Sequence, residues 1–314
     1  MTPTHTPTSE RVVVSVSGGK DSVATALHLR ELGIEYDMVF MDTGWEHPDL
    51  YEHLDYLETV LGPIERIGAD IPELPADVLP DVEAIEALVG TSPSAFVRWT
   101  AKKGMFPSRV RRFCTQELKV RPFLRWVESL EEDVVNVVGI RAEESAARAR
   151  LPERELMPGA EHIEVWRPLI AWTEAQVIDI HKRHGVRPCP LYLRGSTRVG
   201  CWPCIQSNKA ELAALAKDAR RVMAIELLEG LIQREAAKRA RAKGKEPGNP
   251  PTLFQPSIRG RDGARVGRPI AEILAWAQTK HGGRQMMLVA DWGREAGCVR
   301  WGMCEGPNKN TEER

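Results

Sequence analysis

The hydrophobic and polar positions of the first 70 residues alternate between short apolar runs and longer segments with helical spacing. Residues 11–16 are rich in valine, which predicts a strand buried on both faces. After two glycines, apolar side chains recur at helical spacing through residues 21–32. The same alternation predicts a strand at 36–41, a helix at 48–61 and a strand at 64–67. This order predicts an α/β fold, a doubly wound and mostly parallel sheet with helices on both faces.

The pattern continues to about residue 190. It predicts helices at 97–105, 119–129 and 173–184, a buried strand at 134–140 and a strand that ends at 164–168. Thr173 is the predicted N-cap of the last helix. Two segments lack a clear period. Residues 70–90 are acidic and interrupted by prolines, so we expect a loop or lid, and residues 142–158 are dense in charges, so we expect loops over the site.

The composition changes beyond residue 190. Residues 192–205 predict a loop with cysteine and glycine, residues 209–243 one long helix, residues 244–256 a flexible linker and residues 269–278 a short helix. We therefore predict a disordered tail at 1–10, an α/β domain at 11–190 and a helical, cysteine-containing C-terminal region at 191–314.

Composition and charge narrow the class of protein. The 314 residues are 42% hydrophobic and 28% charged, as in ordinary globular proteins. The formal net charge of −1 excludes a generally basic nucleic-acid coat. The apolar runs fall short of the roughly 20 residues that a membrane span needs, and residues 1–10 lack a secretory pattern. We expect a cytoplasmic protein whose six cysteines serve metal binding or catalysis rather than disulfides.

The segment between the first strand and the first helix carries the strongest chemical signal. Its glycines allow the backbone to approach a ligand, and the helix N-terminus directs N–H groups and a positive dipole at an anion. Lysine adds positive charge and two serines can donate to phosphate oxygens, whereas the glycine spacing differs from that of a Walker A loop. We call this segment the phosphate loop; its residues are Ser17, Gly18, Gly19, Lys20, Asp21 and Ser22. Asp21 is expected to cap backbone donors or to help hold Mg²⁺.

The phosphate loop resembles the PP-loop of the adenine-nucleotide α-hydrolase-like superfamily, whose members bind ATP or an adenylyl sulfate. Later segments are similar to motifs of its phosphoadenosine phosphosulfate (PAPS) reductase family, and the likeness extends from about Val12 to Cys204. In chain order these motifs are Phe40-Met41-Asp42-Thr43-Gly44 with Pro48, Arg112-Phe113-Cys114-Thr115 with Leu118-Lys119-Val120 and Pro122, Gly139-Ile140-Arg141 with Glu144, Ser145 and Arg148, and Pro168-Leu169 with Trp172-Thr173.

The resemblance implies roles for particular residues. The phosphate loop would hold the phosphate or sulfate of ATP, PAPS or adenylyl sulfate, and Asp42 and Thr43 would lie near the ribose or adenine. Arg141 would face the anionic end of the nucleotide, and Lys20, Arg141 and Cys304 would be catalytic. Two simpler alternatives stay open, namely that Asp42 caps a turn and that Arg148 is a surface charge.

The cysteines suggest a second centre. Cys201 and Cys204 form a C-x-x-C pair, which can bind a metal or act as a redox pair. The resemblance implies a [4Fe–4S] cluster on Cys114, Cys201, Cys204 and Cys304, with Cys298 as the alternate fourth ligand. Structural zinc and metal-free redox thiols are the alternatives. Cys189, between two prolines, is expected to be a buried thiol.

Two other features have simple explanations. A basic run toward the end of the 209–243 segment would either contact nucleic-acid phosphates or form a solvated helix face. Its residues are Arg234, Lys238, Arg239, Arg241, Lys243 and Lys245. His181 and His184 share a face of the 173–184 helix and are expected at the surface.

Three hypotheses about function follow. The first is an ATP-dependent sulfurtransferase that adenylylates its substrate, with a nucleic acid as a possible substrate and a protein as a possible sulfur donor. The second is a reductase of PAPS or adenylyl sulfate that releases sulfite through a cysteine nucleophile; the Glu-Cys-Gly-Leu-His ending of familiar members is absent around Cys304. The third is a non-catalytic nucleotide-binding module with structural zinc.

Overall fold

The computed structural model describes residues 10–108, 110–254, 267–280 and 301. Within them lies a six-stranded sheet with the order β3-β2-β1-β4-β6-β5. Neighbouring strands are parallel except for β5 and β6, which are antiparallel. The strands are β1 (Arg11–Ser15), β2 (Asp37–Asp42), β3 (Ile64–Gly68), β4 (Val134–Val138), β5 (Arg154–Met157) and β6 (Ala160–Trp166). The predicted fold class is confirmed.

Helices cover both faces of the sheet. Val13 and Val14 are both fully buried but belong to different hydrophobic clusters, since successive residues of a strand point to opposite faces. The helices are α1 (Lys20–Glu31), α2 (Pro48–Leu61), α3 (Leu79–Val89), α4 (Ala95–Lys103), α5 (Phe113–Thr115), α6 (Arg121–Glu128), α7 (Glu174–Arg183), α8 (Pro190–Leu193), α9 (Lys209–Leu215), α10 (Ala219–Ala242) and α11 (Ile270–Ala277). A π-helical segment, Gln116–Val120, joins α5 to α6.

The predicted loop at residues 70–90 is wrong in its second half, where α3 forms. Pro80 lies in the first turn of this helix. N–H groups in the first turn have no carbonyl partner within the helix, so proline, which lacks an N–H, is tolerated there. Val82, Ile85 and Val89 are buried at helical spacing in a cluster shared with α10. The prolines thus mark where the helix begins. Asp81 and Glu83 face solvent, whereas Glu86 is buried and pairs with Arg98 on α4.

The predicted long helix at residues 209–243 is interrupted, so that α9 and α10 are separate helices. The side chain of Asp218 accepts a hydrogen bond from the backbone N of Arg221 and caps the start of α10. The second carboxylate oxygen accepts from Trp202 Nε1 at 3.1 Å, which fixes the break by a tertiary contact. A periodic pattern alone does not show such an interruption.

Two predicted loop regions are more ordered than expected. Residues 142–158 contain two short 3₁₀ turns and then strand β5. In the predicted linker at 244–256, Thr252 and Leu253 are buried, and the N–H of Leu253 donates to Glu229 Oε1 on α10 at 3.0 Å. Residues 251–254 therefore pack against α10, whereas residues 244–250 are exposed.

The basic run on α10 makes contacts within the chain. Arg234 pairs with Asp81 on α3, Lys238 Nζ lies 3.0 Å from Asp77 Oδ2, and Arg239 donates to main-chain oxygens of α4. These contacts and the shared hydrophobic cluster join α10 to α3 and α4. The predicted domain boundary at residue 190 stays a prediction. Among the residues that the structure describes, no helix is both long and apolar enough to cross a membrane.

Candidate functional site

The phosphate loop crosses the carboxyl end of β1 and leads directly into α1. Gly18 has a φ of +69°, and Gly19 is the N-cap of a helix that starts at Lys20. Ser22 Oγ donates to the carbonyl of Gly19 at 2.9 Å and accepts from the N–H of Ser17 at 3.1 Å. These bonds hold the loop in a tight turn. The amides of the first helical turn have no carbonyl to bond within the helix, so they favour an anion there.

Close backbone approach explains a glycine on the neighbouring strand. A Cβ atom added to Gly139, just after β4, would lie 2.6 Å from both the carbonyl carbon and oxygen of Asp21. Only glycine allows β4 to end this close to the first turn of α1. Gly139 therefore helps to set the position of the phosphate loop against the sheet.

The charged residues of the site form one network centred on Asp21. Lys20 is only 7% exposed, and its Nζ lies 3.2 Å from Asp21 Oδ2 and 3.5 Å from Glu174 Oε1. Arg141 Nε donates to Asp21 Oδ1 at 2.5 Å, and the same guanidinium pairs with Glu143. An acidic residue in a phosphate site is thus accounted for, because Asp21 holds the two predicted cations side by side. Arg148 is half-buried and pairs with Glu144.

Two buried ring side chains, Tyr192 and His181, contact the backbone of Lys20 at the start of α1. The sequence alone indicated no role for Tyr192. Tyr192 Oη accepts a hydrogen bond from the N–H of Lys20 at 3.1 Å, and His181 Nε2 lies 2.9 Å from the carbonyl oxygen of Lys20. Trp301 contacts both rings. The surface location predicted for His181 is wrong, because it is 1% exposed and faces α1. His184, the C-cap residue that follows α7, pairs with Glu31. In the sequence, His181 directly follows the apolar Ile180 and lies four positions after the apolar Val177. This helical spacing was the available signal that His181 is buried.

The carboxyl end of β2 forms a second wall of the site. Asp42 Oδ1 accepts from the N–H of Gly44 at 2.8 Å and from Tyr51 Oη at 2.7 Å. Thr43 Oγ1 donates to Glu46 Oε1 at 2.7 Å. Asp42 thus caps the turn that follows the strand, and its contact with a nucleotide remains a prediction.

The cysteine pair lies against this turn. Cys201 Sγ is 3.9 Å from Thr43 Oγ1, the N–H of Trp202 donates to the carbonyl of Trp45 at 2.8 Å, and Trp45 Nε1 donates to the carbonyl of Pro203 at 3.1 Å. Sequence separation between the two segments exceeds 150 residues. The structure therefore joins the predicted nucleotide site and the predicted sulfur centre.

Cys114, Cys201 and Cys204, here named the cysteine group, share their surroundings with Lys119. The charge of Cys201, followed by those of Glu46 and the other two thiols, raises the pKa of Lys119 although its burial acts in the opposite direction. Burial raises the pKa of Cys201 to about 12. A thiolate in the cysteine group thus requires a nearby cation, and Lys119 supplies one. Lys119 belongs to a recognised motif, yet sequence alone did not show this role.

The donor set suits a thiolate-bound metal centre in part. Besides burial, the charge of Cys204 raises the pKa of Cys114 and of Cys201, so these three predicted ligands lie in one region, and thiolates are what iron–sulfur and zinc sites use. Cys298 and Cys304, including the predicted catalytic role of Cys304, lie outside the described residues. Within those residues no three His, Cys, Asp or Glu side chains are placed so as to hold a metal ion. Cys189 is buried in a separate small cluster, as predicted, and burial raises its pKa to about 11.

A buried histidine on α2 leads to a prediction about pH. Burial, then the charges of His181 and Arg187, lowers the pKa of His53 to about 4, so the folded protein holds it neutral. The unfolded chain takes up this proton as the pH falls below about 6.5, so stability is full above that pH and is lost toward pH 4. Between pH 7 and pH 5, protonation of this residue in the unfolded chain should lower the free energy of unfolding by about 2 kcal/mol. Urea titration at the two pH values measures this change.

The matched variants are His53→Phe, which keeps an aromatic ring against Tyr56, and His162→Phe at an exposed position. We expect His53→Phe to lose about 2 kcal/mol less than the wild type between the two pH values. Equal losses in His53→Phe and in the wild type would contradict the assignment.

Comparison with known proteins found a matching family model and several relatives. The model of the phosphoadenosine phosphosulfate reductase domain family matches residues 11–207. An uncharacterized 37.8 kDa protein of Escherichia phage 186 is 34% identical over 93% of this chain and 96% of its own length. The adenosine 5′-phosphosulfate reductase of Allochromatium vinosum is 31% identical, over 46% of this chain and 59% of the reductase.

One solved structure is similar to part of this chain. The phosphate complex of phosphoadenylyl-sulfate reductase from Candida auris has 19% sequence identity and a TM-score of 0.45, over 63% of this chain and 84% of that chain. The family match spans both the phosphate loop and the C-x-x-C pair. The chain belongs to the phosphoadenosine phosphosulfate reductase domain family.

Proposed function

We propose that this protein is an enzyme that binds ATP on the phosphate loop and uses it to transfer sulfur to an oxygen-bearing substrate. The observation that carries the proposal is the contact between the two predicted sites: Thr43, at the end of β2, lies 3.9 Å from Cys201 of the cysteine group. A nucleotide beyond the carboxyl ends of β1 and β2 would place its reacting phosphate near these thiols.

The charges of the phosphate loop suit an adenylylation. A carbonyl oxygen of the substrate would attack the α-phosphorus of ATP, and pyrophosphate would leave with the electrons of the broken P–O bond. Lys20 and Arg141 would stabilise the charge on the phosphates, and Mg²⁺ beside Asp21 would assist. A reduced sulfur donor at the hydrosulfide level would then form the C–S bond, and AMP would leave with the oxygen as a proton is released. A donor protein and a nucleic-acid substrate are compatible with this scheme.

The cysteine group is proposed to hold a [4Fe–4S] cluster. Cys114, Cys201 and Cys204 would supply three ligands and Cys304, or alternatively Cys298, the fourth. Such a cluster supplies electron transfer or a binding point for sulfur. Lys119 would offset part of the negative charge of the thiolates. Zinc on the same thiolates is the alternative, and a reducing compartment such as the cytoplasm would suit either.

A reductase is the second candidate, and the curated relatives favour it. Besides the protein from Allochromatium vinosum, an adenosine 5′-phosphosulfate reductase from Burkholderia cepacia is 28% identical over 56% of this chain. In this alternative Cys304 would attack the sulfur of adenylyl sulfate or PAPS, and a later thiol would release sulfite.

A substrate comparison tests these candidates. Purified protein would be incubated with ATP, with adenylyl sulfate and with PAPS, and pyrophosphate and sulfite would be measured together with nucleotide affinity. Pyrophosphate from ATP in the presence of a sulfur acceptor and hydrosulfide supports the first proposal. Sulfite from either sulfated nucleotide supports the reductase and contradicts the first. Binding of ATP without any product favours the non-catalytic alternative.

Metal content gives a separate prediction. Anaerobically purified protein should contain about four irons with acid-labile sulfide and broad absorption near 400 nm, as expected of a thiolate-bound cluster. Cys201→Ser and Cys204→Ser should each lose most of that iron, because each removes a ligand. Cys189→Ala, in a separate buried cluster, should retain it. Zinc in place of iron, or iron that persists in both ligand variants, would contradict the cluster assignment.

A further inference from the structure

A buried carboxylate outside the phosphate loop connects the two halves of the site. Glu46 is 3% exposed. Its Oε1 accepts from Thr43 Oγ1 at 2.7 Å, and its Oε2 accepts from the N–H groups of Thr43 at 3.3 Å and Trp45 at 3.0 Å. A carboxylate this deeply buried is costly unless donors surround it, and here the turn after β2 supplies them.

The same side chain reaches the sulfur side of the site. Glu46 Oε1 lies 3.9 Å from Cys201 Sγ, and the backbones of Glu46 and Cys201 form an isolated antiparallel bridge. Glu46 thus contacts both Thr43 and Cys201, residues from segments that are more than 150 positions apart. The two contacts share one oxygen, so a displacement of either partner changes the environment of the other.

The main chain of Glu46 is held from the opposite side. Arg221 Nη2 on α10 donates to the carbonyl oxygen of Glu46 at 3.2 Å, and its guanidinium lies 4.7 Å from the centre of the Trp45 ring. Tyr51 Oη lies within hydrogen-bonding distance of both Asp42 and Glu46. Asp42 accepts from the N–H of Gly44, whereas Glu46 Oε2 accepts from the N–H groups of Thr43 and Trp45, so the two carboxylates bond different amides of this turn. The contact of Glu46 Oε1 with Cys201 is additional to this capping role.

We propose that Glu46 is a positioning residue that couples the nucleotide end of β2 to the loop of Cys201 and Cys204. A nucleotide that contacts Thr43 orders the Thr43–Glu46 bond, and through it the loop of the cysteine pair. This coupling depends on the proposed function in one respect, because it assumes that Thr43 is part of the nucleotide site. The coupling aligns the sulfur centre when nucleotide is present.

Hydrogen–deuterium exchange of the intact protein tests the coupling. The probe is ATP with Mg²⁺, at a concentration that saturates each variant as measured by calorimetry, and the readout is the peptide covering residues 199–206. In the wild type, ATP should slow exchange of this peptide about fivefold or more, the lower end of ordinary coupling between sites. In Glu46→Gln that protection should disappear while ATP still binds. Glu229→Gln, at a buried carboxyl that bonds Leu253 and Ile270 elsewhere, should behave as the wild type.

The outcomes separate the two levels of the argument. ATP binding without protection in the wild type, or full protection in Glu46→Gln, would overturn the coupling and leave the proposed function intact. Failure of ATP to bind the wild type would overturn the proposed function itself. If Glu46→Gln does not fold, Thr43→Val removes the other end of the same hydrogen bond and should also abolish the protection at saturating ATP. Protection that persists in Thr43→Val would overturn the proposal.

Discussion

Replacing Lys20 with alanine should weaken ATP binding by about 10- to 100-fold, which corresponds to the loss of one charge-assisted hydrogen bond to phosphate. Lys20 is buried at the start of α1, and its ammonium is already oriented by Asp21 and Glu174. Its loss removes a cation and also leaves those two carboxylates facing the bound phosphates. Isothermal titration calorimetry with ATP and Mg²⁺ measures the change.

Lys182→Ala is the matched control. Lys182 is exposed at the end of α7, and its replacement changes the net charge by the same amount as Lys20→Ala. It should bind ATP as the wild type does. Asp21→Asn should also weaken binding, since Asp21 holds Lys20 and Arg141 together. An unchanged affinity in Lys20→Ala would refute the assignment of the phosphate loop, whatever the behaviour of the other variants.

The second large effect is expected for Gly139→Ala. The added methyl group would lie 2.6 Å from backbone atoms of Asp21 and 2.7 Å from the backbone N of Ser22, so the start of α1 must move. Overpacking of this kind destabilises by about 1–3 kcal/mol, and displaced amides no longer converge on a phosphate. We expect a lower unfolding free energy in urea together with an approximately tenfold loss of ATP affinity, as for one lost hydrogen bond to phosphate.

Gly68→Ala separates the clash from a general effect of removing glycine. Gly68 ends β3 in the same sheet, and a Cβ there would meet no atom within 4 Å. This variant should fold and bind ATP like the wild type. A Gly139→Ala protein with unchanged stability and affinity would show that the end of β4 does not set the position of the phosphate loop.

The elements that could be predicted are those whose pattern is local. The valine run of β1 and the helical period of α1 and α2 predict both type and position, because burial on two faces or one face leaves a direct imprint on the sequence. The capping role of Thr173 was also predictable, since the hydroxyl bonds an amide three residues away. The first half of the site is predictable for the same reason, as the phosphate loop is six consecutive residues.

Errors arose where a distant contact decides the local structure. The prolines of residues 70–90 suggested a loop, but α10 covers the apolar face of α3 and stabilises a helix there. Likewise, His181 appeared to be a surface residue because its partner, the carbonyl of Lys20, is 161 positions away. A local apolar spacing can indicate that a residue is buried, but it does not identify the distant partner that the residue bonds.

By itself, the sequence determined the fold class and the family, because each depends on short motifs or on the period of burial. The nucleotide-binding role of the phosphate loop and the metal-ligand role of the cysteines stay predictions. Only the tertiary structure decided that Asp21 holds both Lys20 and Arg141, that Lys119 lies among the thiols, and that Glu46 bridges Thr43 and Cys201. The parallel strands bring their carboxyl ends to one edge of the sheet, so residues far apart in the chain become neighbours there.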